Sequence, residues 1–114
     1  MTYEALIDAL TECGVPFREG AWDTHPEPPY GVYALDGSGS DLWADDRQEE
    51  QALQGTVDLF VRGRGRDKMA LVGRALYDSG VSWDLNSIQY ESDTRLTHFE
   101  WVFEALPDEE ADNA

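Results

Sequence analysis

Apolar side chains recur at helical spacing in two stretches of the chain. Residues 3–13 carry an apolar stripe at positions i, i+3, i+4, i+7 and i+10, and Thr2 before them is a suitable N-cap. Residues 67–79 carry a second stripe, with Asp67 as the N-cap and Gly80 as the residue that ends the helix. The pattern therefore predicts two amphipathic helices, each with one face that another element must cover.

Four other stretches have the pattern of strands. Residues 30–35 are short and rich in β-forming side chains, and residues 53–61 alternate between apolar and polar positions without a break. Residues 81–90 and 95–105 predict a hairpin, in which a change of phase at residues 86–87 indicates a bulge. In residues 53–61 the more apolar face is expected to consist of Leu53, Gly55, Val57, Leu59 and Val61. In residues 95–105 it is expected to consist of Thr97, Phe99, Trp101, Phe103 and Ala105.

The order of these elements is α-β-β-α-β-β, which predicts an α+β fold. Two helices pack on one face of a mainly antiparallel sheet of about four strands, and the sheet keeps exposed edges and one uncovered face. Residues 1–106 form a single domain, in which residues 18–29 are an ordered loop and residues 36–41 a turn. Residues 107–114 are expected to form an acidic, disordered tail.

The four tryptophans divide into two pairs. Trp83 and Trp101 lie on predicted strands, and we expect both in the core. Trp22 and Trp43 lie in loop-like sequence, where an exposed indole is costly unless a partner covers it. Trp43 either folds back over the sheet edge or anchors an interface.

Acidic residues outnumber basic ones by 24 to 8, which gives a formal net charge of −16 with both histidines neutral. Such a surface repels nucleic-acid phosphates and anionic lipid, so the charge argues against a DNA-binding or membrane-binding role. No apolar run reaches the roughly 20 residues that span a bilayer, and the first residues lack the pattern of a signal peptide, so we expect a soluble protein made in a cytoplasm. Cys13 alone can form neither an intrachain disulfide nor a cysteine-based zinc site, and we expect it to be a small buried side chain.

Five of the eight basic residues lie within 13 positions, at Arg62, Arg64, Arg66, Lys68 and Arg74. This segment is a solvated loop that balances nearby acids, a docking patch for an acidic surface, such as that of a second copy, or a contact for DNA that passes nearby. Its glycines lack the Gly-Lys-Ser/Thr end of a phosphate-binding loop, so no nucleotide cofactor is expected. The acidic segment 36–50 is a candidate counterpart. The interface candidates are Trp43, Asp45, Asp46, Arg62, Arg64, Arg66 and Lys68.

No arrangement of residues typical of catalysis is present in the sequence. His98 lies on a predicted strand with Glu100 on the same face, which is more typical of a half-exposed cross-strand pair than of a catalytic pair. Residues 36–47 resemble a calcium loop only faintly, because Asp41 and Arg47 stand where glycine and glutamate are required. The sequence therefore predicts a non-enzymatic protein without a metal or other cofactor.

The order of short segments along the chain is similar to a known family. The segments are Pro29-Tyr-Gly-Val-Tyr33, Leu42-Trp-Ala-Asp45, Gln54-Gly-Thr-Val-Asp-Leu-Phe60, the helix end Leu76-Tyr-Asp-Ser-Gly80, Val81-Ser-Trp83 and Thr97-His-Phe-Glu-Trp-Val-Phe-Glu104. Over about residues 3–105, this order resembles the small tail-terminator or tail-completion proteins of long-tailed bacteriophages. The sequence departs from the family in the glycine-rich residues 62–66 and in the acidic tail.

The resemblance implies a structural protein that forms a ring, typically a hexamer, on the end of the tail tube. Such a ring stops tube polymerisation and joins the tail to the head connector, and the family has no catalytic residues to carry over. The implied partners are further copies of the chain, the tail tube protein and a head-completion or connector protein, with DNA only passing through the lumen. The implied location is the tail or neck of the virion, after assembly in the host cytoplasm.

A second class of protein also suits the charge. A small acidic inhibitor that imitates DNA and binds a host nucleic-acid enzyme would use the carboxylates in place of phosphates. A mimic needs a continuous acidic face on a monomer, whereas a ring subunit needs an interface of mixed charge. The distribution of charge over the folded surface is therefore the feature that separates the two classes.

Overall fold

The structure is a computed structural model, and it describes residues 1–38 and 52–108. The described residues form two helices and five strands, so the predicted α+β class is confirmed and the number of strands is one higher than expected. In chain order the elements are α1 (Tyr3–Thr11), β1 (Phe17–Glu19), β2 (Tyr30–Ser38), β3 (Leu53–Arg62), α2 (Arg66–Ser79), β4 (Ser82–Glu91) and β5 (Leu96–Ala105).

The five strands form one sheet in the order β1-β2-β3-β5-β4. The short strand β1 runs parallel to β2, and all other neighbours are antiparallel. Our expectation that residues 18–29 form only a loop was wrong at its start, because three residues of β1 are too few to show an alternating pattern. The last described strand, β5, lies between β3 and β4, so β3, α2 and β4 form a split β-α-β unit around it.

The helix ends differ in detail from the prediction. Thr2 caps α1 as expected, since its hydroxyl accepts a hydrogen bond from the Ala5 amide at 3.1 Å, but the helix ends at Thr11 rather than at residue 13. The prediction that Asp67 is the N-cap of α2 is wrong. The helix begins one residue earlier, because Gly65 turns the chain in the left-handed conformation and its carbonyl accepts from the Met69 amide at 2.9 Å.

The strand faces follow the predicted alternation. In β3, Val57, Leu59 and Val61 are buried, and in β5 every second side chain from Thr97 to Ala105 is buried under the helices. The expected bulge lies between Leu85 and Ser87 of β4. The segment 36–41, predicted as a turn, instead begins within β2, which continues to Ser38 after an irregularity between Leu35 and Gly37.

Both helices lie on one face of the sheet, where their apolar stripes and the buried strand faces form a single core. Tyr3 of α1 stacks on Phe103 of β5 at 6.0 Å and meets Tyr33 of β2 edge-on at 6.1 Å. Cys13 packs against this core and is half-buried, and burial raises the pKa of its thiol. Five strands span about 24 Å, whereas two helices of about 10 Å each cover about 20 Å, so one strand is left without a helix above it.

That strand is β4, at the edge of the sheet. Nine of its ten residues are exposed, and Trp83 is 37 % exposed. Trp101 is buried to 2 % exposure, as predicted, but our placement of Trp83 in the core was wrong. The indole of Trp83 faces the same side of the sheet as the core, at a position that the two helices do not reach.

Candidate interaction surface

A row of large apolar side chains stands exposed along β4. Trp83 lies opposite Phe103, Leu85 opposite Trp101 and Ile88 opposite Phe99, so the row continues the core face of β5 onto the edge strand. The exposed fractions rise along the strand through 37 % for Trp83, 41 % for Leu85, 54 % for Ile88 and 60 % for Tyr90. The core face of the sheet therefore extends one strand beyond its cover.

At its start, α2 lies across this surface from β4, where Met69 lines a groove together with Ile88 and Tyr90. Met69, Gly73 and Tyr77 follow each other at i, i+4 and i+8, so they lie on the same side of the helix. Tyr77 is 70 % exposed, and a Cβ atom placed on Gly73 would meet no atom within 4 Å. We call the surface between the helix and the strand the β4 trough. Its residues are Arg66, Met69, Gly73 and Tyr77 of α2 and Trp83, Leu85, Ile88 and Tyr90 of β4.

A groove lies at one end of the trough, where α2 begins and β4 ends, and we call this the deep end of the trough. There Met69, Ile88, Tyr90 and Phe99 line a groove of about 860 Å³, together with Arg64 of the connector before α2 and Arg66 at the start of that helix. The Thr97 hydroxyl donates to the Gly63 carbonyl and so fastens the connector to β5 beside the groove. The connector between β3 and α2 therefore has a fixed position at the end of an apolar groove.

The structure separates the basic residues of this segment into two groups. Arg62 pairs with Glu27 at 3.2 Å, Lys68 approaches Asp67 at 3.7 Å, and Arg74 pairs with Asp78 at 3.1 Å. Among the described residues, Arg64 and Arg66 form no ion pair, and both line the groove. Of the four basic interface candidates, these two are the ones that the fold brings to the apolar surface.

The other predicted interface residues do not contribute to this description. Trp43, Asp45 and Asp46 lie outside the described residues, as does most of the acidic segment 36–50. Trp22, the second loop tryptophan, is half-buried, and its indole N–H donates to the Gly31 carbonyl at 2.9 Å.

The face of the sheet opposite the helices carries a row of stacked rings. Tyr30 stacks on Phe60 at 5.0 Å between ring centroids, and Phe60 stacks on His98 at 4.3 Å. His98 forms a partly buried cross-strand pair, but its partner is Asp58 of β3, at 2.7 Å from Nε2 to the carboxylate, and not Glu100. This hydrogen bond raises the pKa of His98 above its ordinary value, although partial burial acts in the opposite direction.

This row is stabilised within the protein itself. The faces of the stacked rings are directed at one another along the sheet, so Phe60 has Tyr30 on one side and His98 on the other. The free ring nitrogen of His98 and the carboxylate of Asp58 are therefore parts of a packed cross-strand cluster. These contacts join β2, β3 and β5 on this face of the sheet.

The cluster of basic residues can be recognised in the sequence, but the β4 trough cannot. The alternation of residues 81–90 shows that β4 has an apolar face. From the sequence alone, such a face is predicted to be buried in the core. Whether the helix layer reaches the strand depends on the strand order, and the insertion of β5 between β3 and β4 moves β4 to the edge. The large number of tryptophans indicates an interface, but the loop-like sequence around Trp43 favours that residue as the anchor over Trp83.

Within the described residues, no group of three or more His, Cys, Asp and Glu side chains is arranged to hold a metal ion. Neither described helix has the length and apolar character needed to cross a membrane. A scan of the chain against protein-family models gives no match, and a search among curated proteins gives none either.

Proposed function

We propose that the chain is a non-enzymatic structural subunit that assembles with further copies into a ring, in the manner of the bacteriophage tail terminators that its sequence resembles. In that role the ring caps the tail tube, stops its polymerisation and joins it to the head connector. The observation that carries the proposal is the β4 trough, an extension of the core face that the chain's own described helices leave open. The sequence resemblance to tail terminators is the reason for proposing a ring on the tail tube as the assembly.

The size of the trough suits an assembly surface. Its five exposed side chains (Tyr77, Trp83, Leu85, Ile88 and Tyr90) leave about half of their surface in water, which amounts to roughly 500 Å². The largest apolar patch of an ordinary monomer is about 300 to 600 Å², and such patches are often functional. A standard interface buries about 800 Å² on each partner, so the trough would form the apolar centre of an interface with a polar rim.

The charge pattern favours a subunit over a DNA mimic at this surface. Arg64 and Arg66 line the deep end of the trough in a chain whose net charge is −16, so the surface combines apolar contact with positive charge. A mimic of DNA would place carboxylates on its contact face instead. The remaining acidic surface suits the lumen of a ring through which DNA passes, because like charges prevent adhesion.

The test is the absolute mass in solution, measured by light scattering after size exclusion over a wide range of concentration. Leu85 and Leu71 are both 41 % exposed, but Leu85 lies in the trough and Leu71 lies outside it, where it approaches Gly14 of the α1 end. We expect the wild type and Leu71→Glu to form multimers and Leu85→Glu to remain monomeric. A fixed monomer for the wild type in free solution, with no co-sedimentation with tail tubes, would refute the proposal.

A second arm uses the proposed partners directly. The wild type should bind the open ends of purified tail tubes and should limit the length of tubes grown from tail tube protein, whereas Leu85→Glu should do neither. Binding to a host nucleic-acid enzyme by a strictly monomeric protein would favour the inhibitor class instead.

A further inference from the structure

A second apolar patch lies at the start of α1 and differs from the trough in charge. Met1 is 59 % exposed and Leu106 is 39 % exposed, and they lie side by side because the Leu106 amide donates to the Met1 carbonyl at 2.9 Å. Asp108 and Glu4 lie next to them, since the Asp108 carboxylate accepts from the Glu4 amide, and Asp8 follows Glu4 one turn along α1. We call these five residues the acidic patch.

The geometry of α1 keeps the carboxylates of this patch outward. Glu4 and Asp8 are separated by one helical turn on the exposed side of α1, and the helix contains no basic residue. The Asp108 carboxylate accepts from the Glu4 amide at 2.7 Å, which fastens the chain after β5 to the start of the helix. The Met1 ammonium group donates to the Ser79 carbonyl at 2.9 Å, at the end of α2.

The acidic patch and the deep end of the trough lie at opposite ends of α2. The Met1 ammonium group contacts the last residue of α2, Ser79, whereas Arg66 is the first residue of that helix. A helix of 14 residues is about 20 Å long, so the two surfaces do not overlap. One copy can therefore use both surfaces at once, toward two different neighbours.

We propose that the acidic patch of one copy docks at the Arg64 and Arg66 end of the β4 trough of the next copy. The apolar side chains of the patch cover Ile88 and Tyr90, and its carboxylates meet the two arginines, which have no carboxylate partner among the described residues. This inference rests on the proposed self-assembly and adds to it the identity of the two contacting surfaces. Because the two surfaces differ, the contact is head-to-tail, as a ring requires.

Complementary charge also sets the polarity of the assembly. Two acidic patches repel each other, and so do two basic ends of the trough, so a head-to-head contact is disfavoured. The charges lie at the rim of an apolar contact, where they act on the rate of association and on specificity. Association should therefore weaken in high salt and leave a residual apolar contribution.

A charge-reversal experiment tests the pairing with two double variants. The first is Arg64→Glu with Arg66→Glu, and the second is Glu4→Arg with Asp8→Arg. Each variant alone should associate at least roughly tenfold more weakly than the wild type, because like charges now face each other across the contact. An equal mixture of the two should recover association, since each acidic trough then meets a basic helix and each basic trough meets an acidic one.

A matched control reverses a pair of charges outside both surfaces. Arg74 and Asp78 pair with each other on the exposed side of α2, and the exchange Arg74→Asp with Asp78→Arg should leave association unchanged. Thermal unfolding of each variant, measured below the association concentration, confirms that the fold is intact.

The outcomes separate this inference from the proposed function. Association of the wild type that persists in both double variants would overturn the pairing of these surfaces and leave the proposed self-assembly standing. Loss of association in each variant without recovery in the mixture would also overturn it. Absence of association in the wild type would overturn the proposed function and this inference with it.

Discussion

Two glycine-to-alanine substitutions should have opposite effects on stability, and the pair tests whether the β4 trough is open in the monomer. Gly73 lies inside α2, and a Cβ atom placed there would meet nothing within 4 Å. Gly55 lies in β3, where a Cβ atom would overlap the Ala34 carbonyl oxygen and lie 2.8 Å from Cζ of Phe103.

The magnitudes follow from helix propensity in one case and from packing in the other. Alanine is about 0.8 to 1.0 kcal/mol more favourable than glycine inside a helix, so Gly73→Ala should stabilise the monomer by about 1 kcal/mol. In a chain of 114 residues that gain raises Tm by about 4 °C. Gly55→Ala should cost about 3 kcal/mol, because the backbone of β2 cannot retreat without loss of its hydrogen bonds to β3.

The assay is thermal unfolding followed by circular dichroism, at a concentration where each protein is monomeric. The expected result is a rise in Tm for Gly73→Ala and a fall of about 12 °C for Gly55→Ala. A fall in Tm for Gly73→Ala would mean that this side of α2 is covered in the monomer, and the trough would then not be an open surface. A neutral result for Gly55→Ala would refute the packing of β3 against β2 and Phe103.

Three further predictions concern single side chains. Trp101→Ala should cost about 3 to 5 kcal/mol in urea unfolding because Trp101 is buried, whereas Trp83→Ala should cost less than about 1 kcal/mol, and equal losses would contradict the placement of Trp83 at the open edge. Thr2→Ala removes the N-cap of α1 and should cost about 1 kcal/mol, a loss that Thr2→Ser should not show. Since Asp58 raises the pKa of His98, the stabilisation from the charged pair is fully present below about pH 6.5, the unfolded value, and is lost as the pH rises through the higher folded value. Asp58→Asn should therefore cost about 1 kcal/mol at pH 6 and less at pH 9, and a cost that does not change with pH would rule out the charged pair.

The sequence predicts those parts of the fold that depend on local periodicity. The alternation in β3 and β5 identifies their buried faces, and the change of phase in β4 locates the bulge between Leu85 and Ser87. The parts that depend on distant contacts were not predictable in the same way. Three residues of β1 gain their strand geometry from β2, and the burial of Trp83 depends on where the helix layer ends.

The candidate surface shows the same division. The cluster of basic residues is visible in the sequence, but the sequence does not show which of its members are paired. Arg62 forms an ion pair with Glu27, which lies 35 positions earlier in the chain, whereas Arg64 forms no ion pair with a carboxylate of the described residues. The proposal of Arg64 and Arg66 as the contacting pair therefore depends on the tertiary fold.

The position of β5 in the sheet also governs the order of events during synthesis. This strand is the last of the five in the chain, yet it forms the hydrogen bonds that join β3 to β4. While residues 96–105 are still inside the ribosome, β4 has no strand to pair with. The trough then lacks the β5 residues beneath it, and β4 is not joined to the sheet beside α2. Under the proposed self-assembly, this surface becomes available to a second copy only after β5 has been inserted.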